Sequence, residues 1–497
     1  MSKLGRREFL SGSLAAGGAV ALGARAASRS DLPPIRPSGK IPHRIFWSWD
    51  HSTNWSMNVP GEQNCGVGNE YTKKPGMFEL DYRRVIDWCA AHGMHGVGIV
   101  GLLRDRHDGV DAARRLCAYA QEKGVRIYLI AGLFAYGGIY YEGDSPWSLT
   151  RTLNQHPDWI GKTGDGAPLI YRHKGAGGSK VEPMGCPSNP ELRKYVLDSI
   201  DWLFKTIPEL GGIQMEAGDN GVCQCEKCRA RRGAKAAKGL MSVEDMALIY
   251  PPAGDVIRAR NKDAWVICEC YHHFLDDPPV NTFREDNPDE NVQKLLAMPS
   301  STIFQWCTPA PDGTSADGTI HWKESSRMLP ALRKFHHVMR THAGTQWSQG
   351  RYTFCVERIR RECRLSYLSG ADFVSMFGEN NPFHANSEFN YLALNYFSEH
   401  PLADMSHFVR DEMAPRLGGW EAAERWCDLS GLYVDATKIS AAVDEIVKIA
   451  SGLAGDREAR RRWLQLSSWL ESHRFEARFW PEPQGHNYYP GAFGMQI

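Results

Sequence analysis

The chain has 497 residues, and its 58 lysines and arginines balance 58 aspartates and glutamates. A net charge near zero argues against nucleic acid as a partner, because binding a phosphate backbone requires a strongly basic surface. The length suits a large barrel with an appended region better than one small domain.

The N-terminus has the pattern of a twin-arginine export signal. Arg6 and Arg7 precede Phe9 and Leu10, a weakly apolar run covers 14–22, and 24–26 is a small-x-small cleavage site. The run is too short to span a bilayer, and the alternative reading is an ordinary amphipathic helix. We expect a signal peptide at 1–27, read by the twin-arginine export machinery, and a linker at 28–40. The mature protein is then periplasmic or secreted, with no membrane span.

Strand-like and helix-like segments alternate along the next part of the chain. Apolar segments typical of buried strands occur at 44–49, 96–103, 125–134, 212–216, 264–271, 301–307, 345–348 and 373–378. Helical spacing of apolar residues falls between them, at 81–92, 111–123, 190–207 and 356–369. Doubly wound sheets share this alternation, but eight such strands favour an α/β fold of the (β/α)8 TIM-barrel type, which we place at 41–385.

The pattern becomes wholly helical from residue 386 onward. Apolar residues recur on one face in 437–451 and again in 460–475. We therefore predict a helical C-terminal region over 386–497, either packed on the barrel or forming a domain of its own.

Carboxylates follow two of the predicted strands. Glu216 and Asp219 come after strand four, and Glu379 comes after strand eight. The C-terminal ends of barrel strands meet at one face, where barrel enzymes have their active sites. Cleaving a glycosidic bond usually needs two carboxyl groups. We therefore predict Glu216 as the proton donor and either Asp219 or Glu379 as its partner, which makes all three candidate catalytic residues. Glu269, inside strand five, is a weaker candidate for which a salt bridge is the favoured reading.

Aromatic and polar residues accompany the acids at the predicted strand ends. The chain has 16 Trp and 18 Tyr, whose rings suit stacking on sugars, although large aromatics also fill protein cores. No cofactor is required for such chemistry. The predicted substrate-binding residues are Trp47, Asp50, Tyr271, His272, Gln305, Trp306, Trp347, Asn380 and His384.

Four of the 13 cysteines form a candidate metal site. Cys223, Cys225 and Cys228 are spaced C-x-C-x-x-C after strand four, and Cys186 precedes the helix that leads into that strand. Four thiolates leave no open position on a zinc ion, so such a site would be structural. The alternatives are a disulfide pair with a spare thiol, or no bridge at all.

Several segments together resemble a secreted bacterial barrel family of largely unassigned specificity, related to family 20 β-hexosaminidases and family 67 α-glucuronidases. The matching segments are 186–191, 219–228, 271–279 and 378–391. The resemblance implies a (β/α)8 barrel and, as general acid, a Glu after strand four, which favours Glu216. The hexosaminidases have adjacent Asp and Glu at this point, whereas Glu216 and Asp219 are three residues apart. Chemistry assisted by an N-acetyl group is therefore not implied.

Together these features predict an exported glycoside hydrolase that acts on an oligo- or polysaccharide. One alternative is a barrel that binds glycans without cleaving them. The other is a zinc-dependent hydrolase, which would need an open coordination position on the metal.

Overall fold

The computed structural model describes most of the chain between residues 39 and 479. The described residues are 39–50, 53, 55, 76–175, 178–216, 222–232, 242–271, 288–307, 313–314, 320–321, 334–341, 343 and 352–479. Within these residues, no helix combines the length and the apolar character needed to cross a bilayer.

Eight parallel strands close into a barrel. Each strand pairs with its neighbours in chain order, and β1 closes the ring by pairing with both β2 and β8. This confirms the predicted (β/α)8 barrel. The strands are β1 (His43–Trp49), β2 (Gly96–Val100), β3 (Arg126–Gly132), β4 (Gly212–Glu216), β5 (Trp265–Tyr271), β6 (Thr302–Cys307), β7 (His336–Thr341) and β8 (Phe373–Phe377).

The seventh strand was predicted at the wrong place. The barrel uses His336–Thr341, which pairs with β6 and β8, whereas the predicted segment 345–348 lies outside the described residues. The sequence HHVMRT has only two apolar residues, so it lacks the hydrophobic run by which a buried strand is normally found. His337 and Arg340 are buried all the same, because Trp306 of β6 and Glu269 of β5 bind them.

Helices surround the barrel and continue beyond it. They are α1 (Met77–Ala91), α2 (Gly109–Glu122), α3 (Leu149–Gln155), α4 (Pro190–Thr206), α5 (Glu226–Arg232), α6 (Val243–Arg260), α7 (Glu290–Leu296), α8 (Val356–Ser369), α9 (Ala385–Glu399), α10 (Met405–Phe408), α11 (Ala414–Leu417), α12 (Trp420–Ser430), α13 (Ala436–Gly452) and α14 (Arg457–Phe479). A π-helical turn, Val409–Met413, joins α10 to α11. Short 3-10 turns lie at Asp105–His107, Pro157–Trp159 and Gly431–Val434, and hairpins pair Ile170–Gly175 with Gly178–Pro183 and Gly313–Thr314 with Ile320–His321.

Local sequence explains where α4 begins. The side chain of Asn189 accepts a hydrogen bond from the backbone N–H of Leu192, at 3.0 Å, and Pro190 occupies the first helical position. An asparagine cap satisfies a backbone donor that has no partner within the helix, and proline loses nothing there. This helix feeds β4, the strand that carries Glu216.

Side chains alternate between two cores, one inside the barrel and one between the strands and the helices. On β5, Ile267 belongs to the inner cluster, whereas Val266 and Cys268 belong to the outer one. The inner core is filled by large rings that need small neighbours. A Cβ atom on Gly98 would lie 2.3 Å from the ring of Tyr128, so only glycine fits this position.

The helix α9 completes the ring around the barrel. Its Tyr391 packs against Phe46 of β1 with ring centroids 4.9 Å apart, and its Ser398 accepts a backbone hydrogen bond from Ile41. This helix, which ends at Glu399, lies after the predicted boundary at residue 385 and packs against the barrel. The helical C-terminal region then packs directly on α9, where Arg462 of α14 binds Glu388 at 2.7 Å.

Candidate active site

Four consecutive barrel strands direct polar side chains into the barrel. Glu216 ends β4, Glu269 lies in β5, Gln305 in β6 and Arg340 in β7. The register places them close together, because Met215 pairs with Cys268, Glu269 with Gln305, and Arg340 with Cys307. Since β4 ends at Glu216, this cluster faces the C-terminal mouth, where barrel enzymes bind substrates.

A single arginine binds both glutamates of this cluster. Arg340 Nη1 lies 3.0 Å from Glu269 Oε1 and 3.9 Å from Glu216 Oε1. Gln305 Nε2 adds a 3.4 Å hydrogen bond to Glu269 Oε1. Glu269 is fully buried, whereas the side chain of Glu216 remains 11% exposed. Glu216 is therefore the carboxyl group of this pair that faces the mouth of the barrel.

The pKa of Glu216 is raised well above its ordinary value. Burial of the carboxyl group is the largest cause, and the adjacent charge of Glu269 is the second. Arg340 and a 2.6 Å hydrogen bond from Gln214 Nε2 oppose the rise without cancelling it. Desolvation and a neighbouring like charge both penalise the ionised form. Glu216 therefore carries a proton over a range of pH in which an ordinary glutamate is ionised.

Trp47 forms one wall beside this cluster. The guanidinium carbon of Arg340 lies 5.4 Å from the centre of the Trp47 ring, within the range of a cation–π contact. Phe377 packs edge-on against the same ring at 4.5 Å. These contacts hold the indole ring inside the barrel mouth, with 5% of Trp47 exposed.

Glu379 follows β8, which is diametrically opposite β4 in the order of the barrel strands. The backbone N–H of Gly378 still donates to the carbonyl of Trp47 at 2.8 Å, so Glu379 stands directly beyond the last rung of the β1–β8 ladder. Its side chain is buried. Glu216 and Glu379 thus reach the same end of the barrel from opposite sides.

Asn380 and His384 support the turn after Glu379. The carbonyl of Asn380 accepts a 2.7 Å hydrogen bond from the hydroxyl of Tyr391. The His384 ring lies 4.6 Å from that of Tyr352, and burial lowers the pKa of His384 to about 3. His384 is therefore a neutral imidazole at physiological pH, which suits hydrogen bonding to an uncharged group.

Two predicted substrate contacts have structural roles instead. Asp50 is fully buried, and both of its carboxylate oxygens are engaged by Arg104, at 2.7 and 3.1 Å. Trp306 points away from the barrel interior into the outer core, where its indole N–H donates to His337 Nδ1 at 3.0 Å. The prediction for Trp306 is wrong because Gln305 takes the inward position, and side chains alternate along a strand.

Four other predicted residues lie wholly or partly outside the described part of the chain. Asp219, His272 and Trp347 are among the residues that the structure does not describe. Tyr271 is the last residue of β5, and only its backbone is described.

Sequence reasoning missed Arg340 and Gln214, whereas the salt bridge favoured for Glu269 is present as its ion pair with Arg340. The sequence of β5 does indicate a polar group inside the barrel, because Glu269 interrupts an apolar strand and shares the face of Ile267. No comparable signal marked Arg340, because its strand was not recognised.

The four candidate metal ligands lie close together in the structure. The sulfur atoms of Cys186, Cys223, Cys225 and Cys228 all lie within 4.8 Å of one another. None of the four forms a disulfide.

Comparisons with known proteins give matches of low sequence identity among solved structures. No protein-family model matches the sequence, and no curated protein is similar to it. Among solved structures, a GH138 enzyme that targets pectin rhamnogalacturonan II is 10% identical with a TM-score of 0.49, over 89% of this chain and 58% of that one. This chain thus spans less than two thirds of that enzyme.

Two further structures show the same low similarity. An α-amylase from Geobacillus thermoleovorans is 10% identical with a TM-score of 0.40, over 74% of this chain and 81% of that one. A GH20 exo-β-N-acetylglucosaminidase from Vibrio harveyi is 11% identical with a TM-score of 0.39, over 74% of this chain and 55% of that one. Similarities this low do not show the activity of this chain.

Proposed function

We propose that this protein is an exported glycoside hydrolase that cleaves a glycosidic bond in an oligo- or polysaccharide. Glu216 is the proton donor to the leaving oxygen, and the carbohydrate lies across the C-terminal mouth of the barrel. The motif resemblance described above points to the same reaction class and the same acid.

The observation that carries the proposal is the place of the Glu216 carboxyl group, which is partly exposed at the end of β4 and lies among groups that raise its pKa. A general acid must hold its proton at working pH and still reach the substrate. Burial and Glu269 raise the pKa of Glu216, and its 11% exposure faces the mouth. Glycosidases commonly raise the pKa of their acid by such surroundings.

Glu269 acts on Glu216 rather than on the substrate. Its side chain is fully buried and is bound by Arg340 and Gln305. Because Arg340 and Gln305 already engage its carboxylate, Glu269 serves as a positioning residue that keeps Glu216 protonated. Arg340 in turn offsets the charge of Glu269, which would otherwise be costly to bury.

Glu379 is our choice for the second catalytic carboxylate, with Asp219 as the alternative. The two acids of a glycosidase flank the scissile bond, about 5–5.5 Å apart in retaining enzymes and about 6.5–9.5 Å apart in inverting ones. Glu379 reaches the mouth from the strand opposite Glu216, as a group that flanks a bound sugar should. Trp47, beside Arg340, offers the ring on which a sugar stacks.

Export rests on the twin-arginine pattern of residues 1–27, which lie outside the described residues. We propose a periplasmic or secreted location for the mature chain. Replacing Arg6 and Arg7 by lysine should retain the precursor in the cytoplasm, whereas unchanged export would argue against this route.

The direct test is a screen of the mature protein against aryl-glycosides and polysaccharides. We expect hydrolysis of at least one substrate, abolished in Glu216→Gln and strongly reduced in Glu379→Gln. A Glu216→Gln variant with full activity would refute the assignment of the acid. Saturable glycan binding without cleavage would support instead a barrel that only binds carbohydrate.

A further inference from the structure

We infer that Cys186, Cys223, Cys225 and Cys228 bind one Zn²⁺ ion in a closed, structural site. This inference does not depend on the proposed hydrolase activity, because the site is made of four sulfur atoms with no catalytic group among them. The ion would hold in place the part of the chain between β3 and α6.

The spacing of the sulfur atoms fits a single tetrahedral ion. Cys186 Sγ lies 3.5 Å from Cys223 Sγ, 3.7 Å from Cys225 Sγ and 3.6 Å from Cys228 Sγ. Zinc–sulfur bonds of about 2.3 Å in a tetrahedron separate the sulfurs by about 3.8 Å. A disulfide would bring two sulfurs to about 2.05 Å, far closer than any pair here.

Polar groups of the chain surround two of the sulfurs. The backbone N–H groups of Lys162 and Cys225 donate to Cys223 Sγ at 3.3 and 3.5 Å. The Ser188 hydroxyl lies 3.0 Å from Cys228 Sγ. Hydrogen bonds to metal-bound sulfur orient the ligands and tune the site.

Two arginines balance the charge of the cluster. Four thiolates around Zn²⁺ carry a net charge of about −2, which needs compensation where three of the cysteines are buried. Arg231 Nη2 lies 3.6 Å from Cys228 Sγ, and Arg232 donates to the carbonyl of Cys223. Asp245 binds both arginines and holds them in position.

The ion would join two segments that are distant in the chain, because Cys186 precedes α4 and the other cysteines follow β4. Hydrogen bonds tie a third segment to them, since the backbone N–H of Gln224 donates to the carbonyl of Lys162 at 2.6 Å. Cys223 comes seven residues after Glu216, the last residue of β4. Zinc would therefore anchor the chain shortly after Glu216, and it would leave no open coordination position for chemistry.

Elemental analysis of the wild-type protein, together with X-ray absorption at the zinc edge, tests the site without any variant. We expect about one zinc per chain, with four sulfur neighbours at about 2.3 Å. Chains without zinc, zinc with oxygen or nitrogen neighbours, bound iron, or a mass lowered by two hydrogens per disulfide bridge would each overturn the inference.

Variants add a second, independent test. Cys225→Ser and Cys228→Ser should reduce the zinc content from one per chain to nearly none and lower the melting temperature. Cys427→Ser is the matched control, because Cys427 is a free, half-buried cysteine on α12 outside the cluster. It should retain the full zinc content, and loss of zinc in this control equal to that in Cys228→Ser would contradict the assignment.

Discussion

Glu216 and Glu269 lie side by side inside the barrel, at the same level of the neighbouring strands β4 and β5. The pairing of Met215 with Cys268 sets this level, and the carboxyl groups contact each other. Because Glu269 is also bound to Arg340 at 3.0 Å, the pair has unequal surroundings. When two close carboxyl groups have different surroundings, their pKa values differ, so one can act as an acid while the other is charged.

Replacing Glu216 by glutamine should reduce kcat by about 10²–10⁴-fold, the usual contribution of a general acid. The loss of kcat should be smaller for an aryl-glycoside with an acidic leaving group, because such a group departs with less protonation of the leaving oxygen. Steady-state kinetics on two aryl-glycosides of different leaving-group acidity measures this. Glu290→Gln, on an exposed glutamate of α7, is the control and should keep full activity. An equal loss on both substrates would contradict the role of proton donor.

Replacing Glu269 by glutamine should move the basic limb of the kcat/KM profile to lower pH. That limb reports deprotonation of the acid in the free enzyme. The charge of Glu269 raises the pKa of Glu216, so its removal lowers that pKa. A pH profile of the variant beside the wild type measures the shift, and an unmoved limb would show that Glu269 does not tune the acid.

Stability should also depend on the proton of Glu216. Its pKa is higher in the folded state, so the folded chain keeps the proton while the unfolded chain loses it above about pH 4.5. The contribution to stability is therefore greatest at low pH and falls as pH rises toward the folded pKa. Gln cannot ionise, so the melting temperature of Glu216→Gln relative to wild type should increase with pH. A difference that is independent of pH would contradict the raised pKa.

Replacing Arg104 by methionine should lower the free energy of unfolding by about 3–5 kcal/mol, because it removes the arginine that pairs with the buried carboxylate of Asp50. Adding Asp50→Asn should restore much of that loss, since no buried charge then remains unpaired. Denaturant titration of both variants gives the two values. If Asp50→Asn alone raised KM without changing stability, Asp50 would be a substrate contact after all.

Replacing Trp306 by phenylalanine should cost about 1–3 kcal/mol of stability and leave KM unchanged. The change removes the indole N–H that binds His337 and part of the ring in the outer core. Thermal melting and kinetics on the same preparation separate the two effects. Trp47→Phe offers the contrast, since Trp47 lies inside the barrel and its change should raise KM.

By itself, the sequence determined the barrel, seven of its eight strands and the start of α4. These features depend on local patterns: apolar runs set buried strands, and an Asn-Pro pair starts a helix. The spacing of Cys223, Cys225 and Cys228 likewise indicated a cluster, because these three cysteines lie within six residues of the sequence.

Only the tertiary structure decided the seventh strand and the partners of the buried charges. His337 and Arg340 are tolerable in a strand because Trp306 and Glu269 meet them from other strands, more than thirty residues away in each case. Asp50 likewise became a structural residue only when folding placed Arg104 against it. Burying a charge is costly unless a partner arrives, and partners from distant segments leave no local pattern in the sequence.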